Sequence, residues 1–145
     1  MSTDRLIAEA RKKIQEGAIG RLATLQIFIS ARSKNVRDVL VKALEIVFCL
    51  TDKKITRLRF QGDDAFLQGT IRFEDGSAAL LDVDILGKPR IFIEAQGSKG
   101  LIMLPGAPSF SLPANSRTGS SSPKIRRVAG LIQKSASSST VVSLR

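Results

Sequence analysis

The 145-residue chain is long enough for one domain with its own core, and its 43% hydrophobic and 25% charged residues are typical of a globular protein. It contains no histidine and one cysteine, which excludes histidine-rich and thiolate-rich metal sites and an internal disulfide. No apolar run reaches the ~20 residues that span a bilayer, and the charged N-terminus lacks the apolar core of a signal peptide. We therefore expect a cytoplasmic protein with no membrane association and no bound metal.

The formal net charge of +10 suggests nucleic-acid binding as one function to consider. All 13 acidic residues lie between Asp4 and Glu94, so the basic excess is concentrated in residues 114–145. The basic residues there are widely spaced, and no aromatic side chains alternate with them as a base-stacking surface requires. We therefore expect nucleic acid not to be a partner. Binding that weakens steeply with salt would indicate the opposite.

The first half of the chain predicts two helices around one strand. Apolar residues at helical spacing predict a helix over residues 3–16, which ends at Gly17 and Gly20. Residues 22–30 alternate as a strand does. Asn35 is the predicted N-cap of a second helix, over residues 36–50. Cys49, near its end, is expected to be a buried small hydrophobic residue.

The second half predicts a meander of antiparallel strands over residues 55–61, 65–73, 78–86, 90–95 and 101–104, joined by short turns such as Asp75-Gly76. Residues 105–123 have the composition of a loop, and residues 124–145 predict a closing helix, capped by Ser122, and a last short strand. The prediction is a single α+β domain over residues 1–145. Helices cover one face of an open, mainly antiparallel sheet of five to seven strands.

Alternation along the strands separates the two faces of this sheet. Leu58, Phe60, Leu81, Val83 and Ile85 are expected on the buried face. The uncovered face is expected to carry both charged and aromatic side chains. It is either a solvated surface with charge pairs across neighbouring strands or an oligomer interface. The candidate interface residues are Phe28, Arg57, Arg59, Phe66, Arg72, Asp82, Asp84 and Phe92.

Four phrases, in this order, resemble the C-terminal domain of the Gfo/Idh/MocA oxidoreductases. They are EGAIGRLATLQI (16–27), IRFEDGSAALLDV (71–83), IFIEAQGSKGLIML (91–104) and IRRVAGLIQKSASSSTVVSL (125–144). The resemblance spans nearly the whole chain. It implies the substrate and oligomerisation domain of a two-domain enzyme, and no stretch resembles the nucleotide-binding first domain.

The resemblance also implies a ligand-facing pair on the second helix. Relatives carry an aspartate and, four residues later, a histidine, and the matching positions here are Asp38 and Lys42. A charged lysine is a poor proton acceptor, and a salt bridge between these residues is the alternative role. The G-x-x-G of residues 17–20 follows a helix, which is the wrong context for a dinucleotide fingerprint. We therefore expect no cofactor on this chain alone.

Three functions follow in order of preference. The first is a stand-alone domain, not an enzyme by itself, that forms a homodimer or larger assembly through its open sheet face and binds a small polar ligand near Asp38 and Lys42. The second is the substrate and oligomerisation subunit of a split enzyme, in which a separate Rossmann-domain polypeptide supplies NAD or NADP. The third is the nucleic-acid-binding protein considered above.

Overall fold

The computed structural model describes residues 3–105 and 122–144, which form three helices and one seven-stranded sheet. The elements in chain order are α1 (Thr3–Gln15), β1 (Leu22–Ser30), α2 (Val36–Leu50), β2 (Ile55–Gly62), β3 (Phe66–Phe73), β4 (Ala78–Asp84), β5 (Arg90–Gly97), β6 (Leu101–Pro105), α3 (Pro123–Ser138) and β7 (Val141–Ser143).

Side-chain caps fix the starts of α2 and α3 as the sequence predicts. The Asn35 side chain accepts a hydrogen bond from the Asp38 backbone N–H, and the Ser122 hydroxyl accepts one from Ile125. Pro123 occupies the first turn of α3, where a missing N–H costs nothing. Helix α1 ends in a turn in which Gly17 has a φ of 80°, a left-handed conformation that favours glycine.

The strand order is β6-β5-β1-β4-β3-β2-β7. Strand β1 lies between β4, to which it is parallel, and β5, to which it is antiparallel. The predicted hairpin between β4 and β5 is therefore wrong, because β1 is inserted between them. The connection over residues 85–89 makes this insertion feasible. Five extended residues reach about 17 Å, and the strand two places away lies only about 10 Å off.

All three helices pack on one face of the sheet, and the core lies between the two layers. Leu58, Phe60, Leu81 and Val83 are buried on this face as predicted. Ile85 is half-buried, because it lies in the turn after β4 and not in the strand. The predicted fold class, α+β with an open, mainly antiparallel sheet covered on one face, is confirmed.

Two other predictions concern the loop over residues 105–123 and membrane-spanning helices. Most of the predicted 105–123 loop, residues 106–121, lies outside the described residues, while α3 already begins at Pro123. None of the helices within residues 3–105 and 122–144 is long and apolar enough to cross a membrane.

Candidate functional sites on the open sheet face and between α1 and α2

The open face is the side of the sheet opposite the three helices, and no described helix lies over it. Exposed apolar side chains are spread across it: Leu80 is 38% exposed, Val141 52% and Met103 53%. A shallow depression of about 550 Å³ lies over β1, β4, β3 and β2. Polar and charged side chains separate these apolar ones, so the open face is a mixed surface and not one continuous apolar patch.

The strand register places all eight candidate interface residues on the open face. Phe92, Phe28 and Asp82 form one row across three strands, and the Arg90 guanidinium lies 5.0 Å from the centre of the Phe28 ring. Phe66 lies opposite Asp84 at the end of β3. The three arginines belong to β2 and β3, towards the β7 edge.

The expected charge pairs between these arginines and aspartates are not formed among the described residues. Arg59 lies opposite Thr70, Arg72 opposite Ala78, and Asp82 opposite Gln68, so no arginine faces a carboxylate across strands. The strand register therefore gives Arg59 and Asp82 no charged partner on the neighbouring strands.

The two aspartates differ in their surroundings. Asp84 accepts a hydrogen bond of 2.6 Å from the Ser30 hydroxyl and others from the Leu86 and Gly87 backbone N–H groups, so it holds the turn after β4. Asp82 is half-buried, and no donor of this kind contacts it among residues 3–105 and 122–144. Burial raises the pKa of the Asp82 carboxyl, and the negative charge of Asp84 adds to the effect.

A groove of about 480 Å³ lies between α1 and α2, and Lys42 and Glu45 form part of its wall. The Lys42 Nζ lies 3.9 Å from Asp4 Oδ1 and 3.9 Å from Glu45 Oε2. Burial raises the pKa of Glu45. The Lys42 charge opposes this shift, and the Asp4 charge adds to it. The groove therefore offers two ammoniums (Lys12 and Lys42), the Arg11 guanidinium and two carboxylates to a polar ligand.

The structure does not bring Asp38 and Lys42 together. Asp38 accepts a hydrogen bond of 3.1 Å from the Ser33 hydroxyl and lies outside the groove, and no ion pair joins it to Lys42 in the described part of the chain. Glu45 was not among the site residues predicted from the sequence. Its spacing of three from Lys42 was the available signal, because such residues share a helical face. Cys49 also lines the groove and is half-buried, not fully buried as predicted.

The turn over residues 17–20 does not fit a dinucleotide pyrophosphate. Three of its four backbone N–H groups are already bonded: Gly17 donates to Ile14, Ala18 to Lys13, and Gly20 to Gly17. The turn leads into β1, whereas a phosphate site of this kind opens a helix. In the described ranges, no three His, Cys, Asp or Glu residues are grouped so that they could hold a metal ion.

Comparison with solved structures gives clear fold matches. A myo-inositol dehydrogenase from Corynebacterium glutamicum has a TM-score of 0.74 and 14% identity over 96% of this chain. A scyllo-inositol dehydrogenase from Lactobacillus casei, with NAD(H) and scyllo-inositol bound, has 0.74 and 12% over 95%. A protein described as a probable dehydrogenase from Thermotoga maritima has 0.76 and 14% over 97%. No protein-family model matches the sequence, and neither does any curated protein.

The chain has the fold of one part of these dehydrogenases. The alignment spans 61% to 62% of their length, so the rest of each dehydrogenase has no counterpart in the alignment. The fold expected from the resemblance to the second domain of the Gfo/Idh/MocA oxidoreductases is confirmed.

Proposed function

We propose that this chain is an assembly domain that forms a homodimer through its open sheet face and performs no redox chemistry by itself. The observation that carries the proposal is the exposed apolar set Leu80, Met103 and Val141 on a sheet that the described helices cover from the other side only. Covering such a face removes apolar surface from water, which favours association.

The size of the face suits a dimer. With strand spacings of about 4.8 Å and strands of about 25 Å, the seven-stranded sheet presents a footprint of about 750 Å². A stable protein–protein interface buries about 800 Å² on each partner. A second copy is favoured as the occupant because a face with both apolar and oppositely charged regions can complement itself.

Sedimentation velocity from 0.1 to 100 μM tests the dimer. The wild type is expected to dimerise, and Leu80→Arg, in the middle of the face, is expected to remain monomeric. Leu86→Arg is the matched control, because Leu86 is 74% exposed but lies in the turn after β4 and does not line the depression on the face. A wild type that is monomeric throughout this range would overturn the proposal.

The groove between α1 and α2 supports a second proposal, the binding of a small polar ligand at Lys42 and Glu45. A polyol suits this wall because its hydroxyls both accept from an ammonium and donate to carboxylates. Titration with scyllo-inositol and myo-inositol, followed by amide NMR shifts, tests it. Shifts confined to α1 and α2 that disappear in Lys42→Met are expected. Shifts that persist in that variant would remove the groove as the site.

The alternative is a split enzyme, in which this chain supplies the substrate wall and a separate Rossmann-domain polypeptide supplies NAD or NADP. The likeness to dehydrogenases over part of their length favours it. Affinity purification from the source organism, followed by the native mass and the identity of co-purifying chains, distinguishes the split enzyme from the assembly domain. A dinucleotide-binding polypeptide in fixed ratio supports the split enzyme, whereas a homo-oligomer alone supports the assembly domain.

A further inference from the structure

One row of side chains crosses the whole open face, and residues at equal distances from its centre are of matching or opposite chemical character. Leu80 is the middle residue, because β4 is the fourth of seven strands. Equal steps to either side of it give paired chemistry: polar with polar, a carboxylate with a guanidinium, and apolar with apolar. From the β6 edge to the β7 edge the row reads Met103, Glu94, Gln26, Leu80, Thr70, Arg59, Val141.

A two-fold axis makes this row complementary to the same row of a second copy. When one sheet lies face to face on a copy of itself, with the axis between them and parallel to β4, each position faces the position equally far across the centre. Leu80 then faces Leu80 of the second copy, Val141 faces Met103, and Arg59 faces Glu94. The strands of the two sheets stay roughly aligned, as they do in sandwich packing.

Arg59 and Glu94 cannot satisfy each other within one protomer. They lie four strand spacings apart, which is about 19 Å. Neither belongs to an ion pair within residues 3–105 and 122–144, although Glu94 is half-buried. A half-buried carboxylate gains from a nearby cation, and Arg59 of a second copy would supply one.

We propose that the open face pairs with a second copy in this one register, with Arg59 of each protomer bound to Glu94 of the other around a Leu80–Leu80 centre. This inference rests on the proposed dimer and specifies its geometry. The neighbouring row that contains Thr24 and Ala78 is compatible with it. The same operation places Arg57 over Gln96 and Arg72 over Thr24, so no arginine faces another.

Charge reversal tests the register. The dimer dissociation constants of the wild type, Arg59→Glu, Glu94→Arg and the double variant are measured by sedimentation at 50 mM salt, where the pair is least screened. Each single reversal is expected to weaken the dimer at least tenfold, and the double variant to return to within threefold of the wild type. The combination of Arg72→Glu with Glu94→Arg is the mismatched control and is expected to show no recovery.

The outcomes separate this inference from the dimer itself. A wild type that dimerises while the Arg59–Glu94 double variant stays as weak as the singles would overturn the register and leave the dimer intact. Equal recovery in the mismatched control would also overturn it, because net charge alone would then explain the effect. A monomeric wild type would overturn both. Circular dichroism of each variant checks that these exposed substitutions leave the fold unchanged.

Discussion

Lys53 Nζ lies 2.6 Å from Asp75 Oδ2 and ties the loop after α2 to the turn between β3 and β4. The same ammonium donates to the Ser77 hydroxyl at 2.9 Å and to the Leu22 carbonyl oxygen at 3.3 Å. The hydrogen bond from Lys53, with those that the Ser77 hydroxyl and backbone N–H donate to the Asp75 carboxylate, lowers the pKa of Asp75 well below its usual range. One lysine therefore fixes three segments that are distant in sequence.

We expect Asp75→Asn to destabilise the fold by about 1 kcal/mol at neutral pH, a value discounted because the carboxylate is 38% exposed. Since its folded pKa is lowered, Asp75 stabilises the protein above its unfolded pKa of about 3.9. That contribution is lost as the pH falls from there towards the folded pKa. Urea unfolding at pH 7 and between pH 5 and 2.5 measures both effects.

Glu74→Gln is the matched control for Asp75→Asn, because Glu74 is an exposed carboxyl in the same turn. Its stability and acid dependence are expected to follow the wild type. If Asp75→Asn keeps the wild-type slope on the acid side, the carboxylate is not the linked group.

Ser135 is fully buried and joins α3 to β2 and to the residue before β7. Its hydroxyl accepts from the Phe60 backbone N–H at 2.9 Å and donates to the Thr140 carbonyl oxygen. Ser135→Ala leaves both backbone groups without this partner, and we expect a loss of 1–3 kcal/mol in the free energy of unfolding. Ser137→Ala, at an exposed position of the same helix, is expected to change it by less than about 0.5 kcal/mol. Equal losses in the two variants would show that the buried hydrogen bonds of Ser135 contribute no more than an exposed serine of the same helix does.

The surroundings of Gly69 and Gly130 predict opposite effects of substitution by alanine. A methyl group at Gly69 would collide with the Arg59 carbonyl oxygen and the Phe60 ring on the neighbouring strand, so Gly69→Ala should cost at least about 2 kcal/mol. Gly130, within α3, has open space around the same position. Gly130→Ala should therefore stabilise the fold by about 0.5–1 kcal/mol through helix propensity. Thermal unfolding of both variants checks the signs, and a stabilising Gly69→Ala would contradict the packing described here.

The elements could be predicted from the sequence because each carries a local signal. Asn35 and Ser122 mark helix starts, and the alternation around Leu58 and Leu81 marks buried strand faces. The insertion of β1 between β4 and β5 carried no such signal. Strand order depends on which strands find each other across long loops, and a five-residue connection suits either a hairpin or a crossover.

For the candidate sites too, some features could be predicted from the sequence and others could not. Strand parity alone placed Phe28, Asp82 and Phe92 on one face, because side chains alternate strictly along a strand. Which residues face each other across strands depends on register, so the sequence left open whether Arg59 and Arg72 pair with aspartates, and the register shows that they do not. Likewise, spacing on α2 could not show that α1 brings Asp4 to Lys42.

Asp82 gives the sharpest test of the proposed dimer geometry by a neutral substitution. In the proposed register every β4 residue faces its own copy, so two Asp82 carboxylates approach each other beside the Leu80 centre. The carboxyl is already half-buried with a raised pKa, and a second negative charge makes its ionised form still less favourable. Asp82→Asn removes this repulsion, so the dimer is expected to tighten about tenfold at pH 7. Asp52→Asn, an exposed charge in the loop after α2, is the control and should leave the dissociation constant unchanged. Weaker association of Asp82→Asn would mean that Asp82 meets an arginine of the other copy, and the two-fold axis would then lie elsewhere on the face.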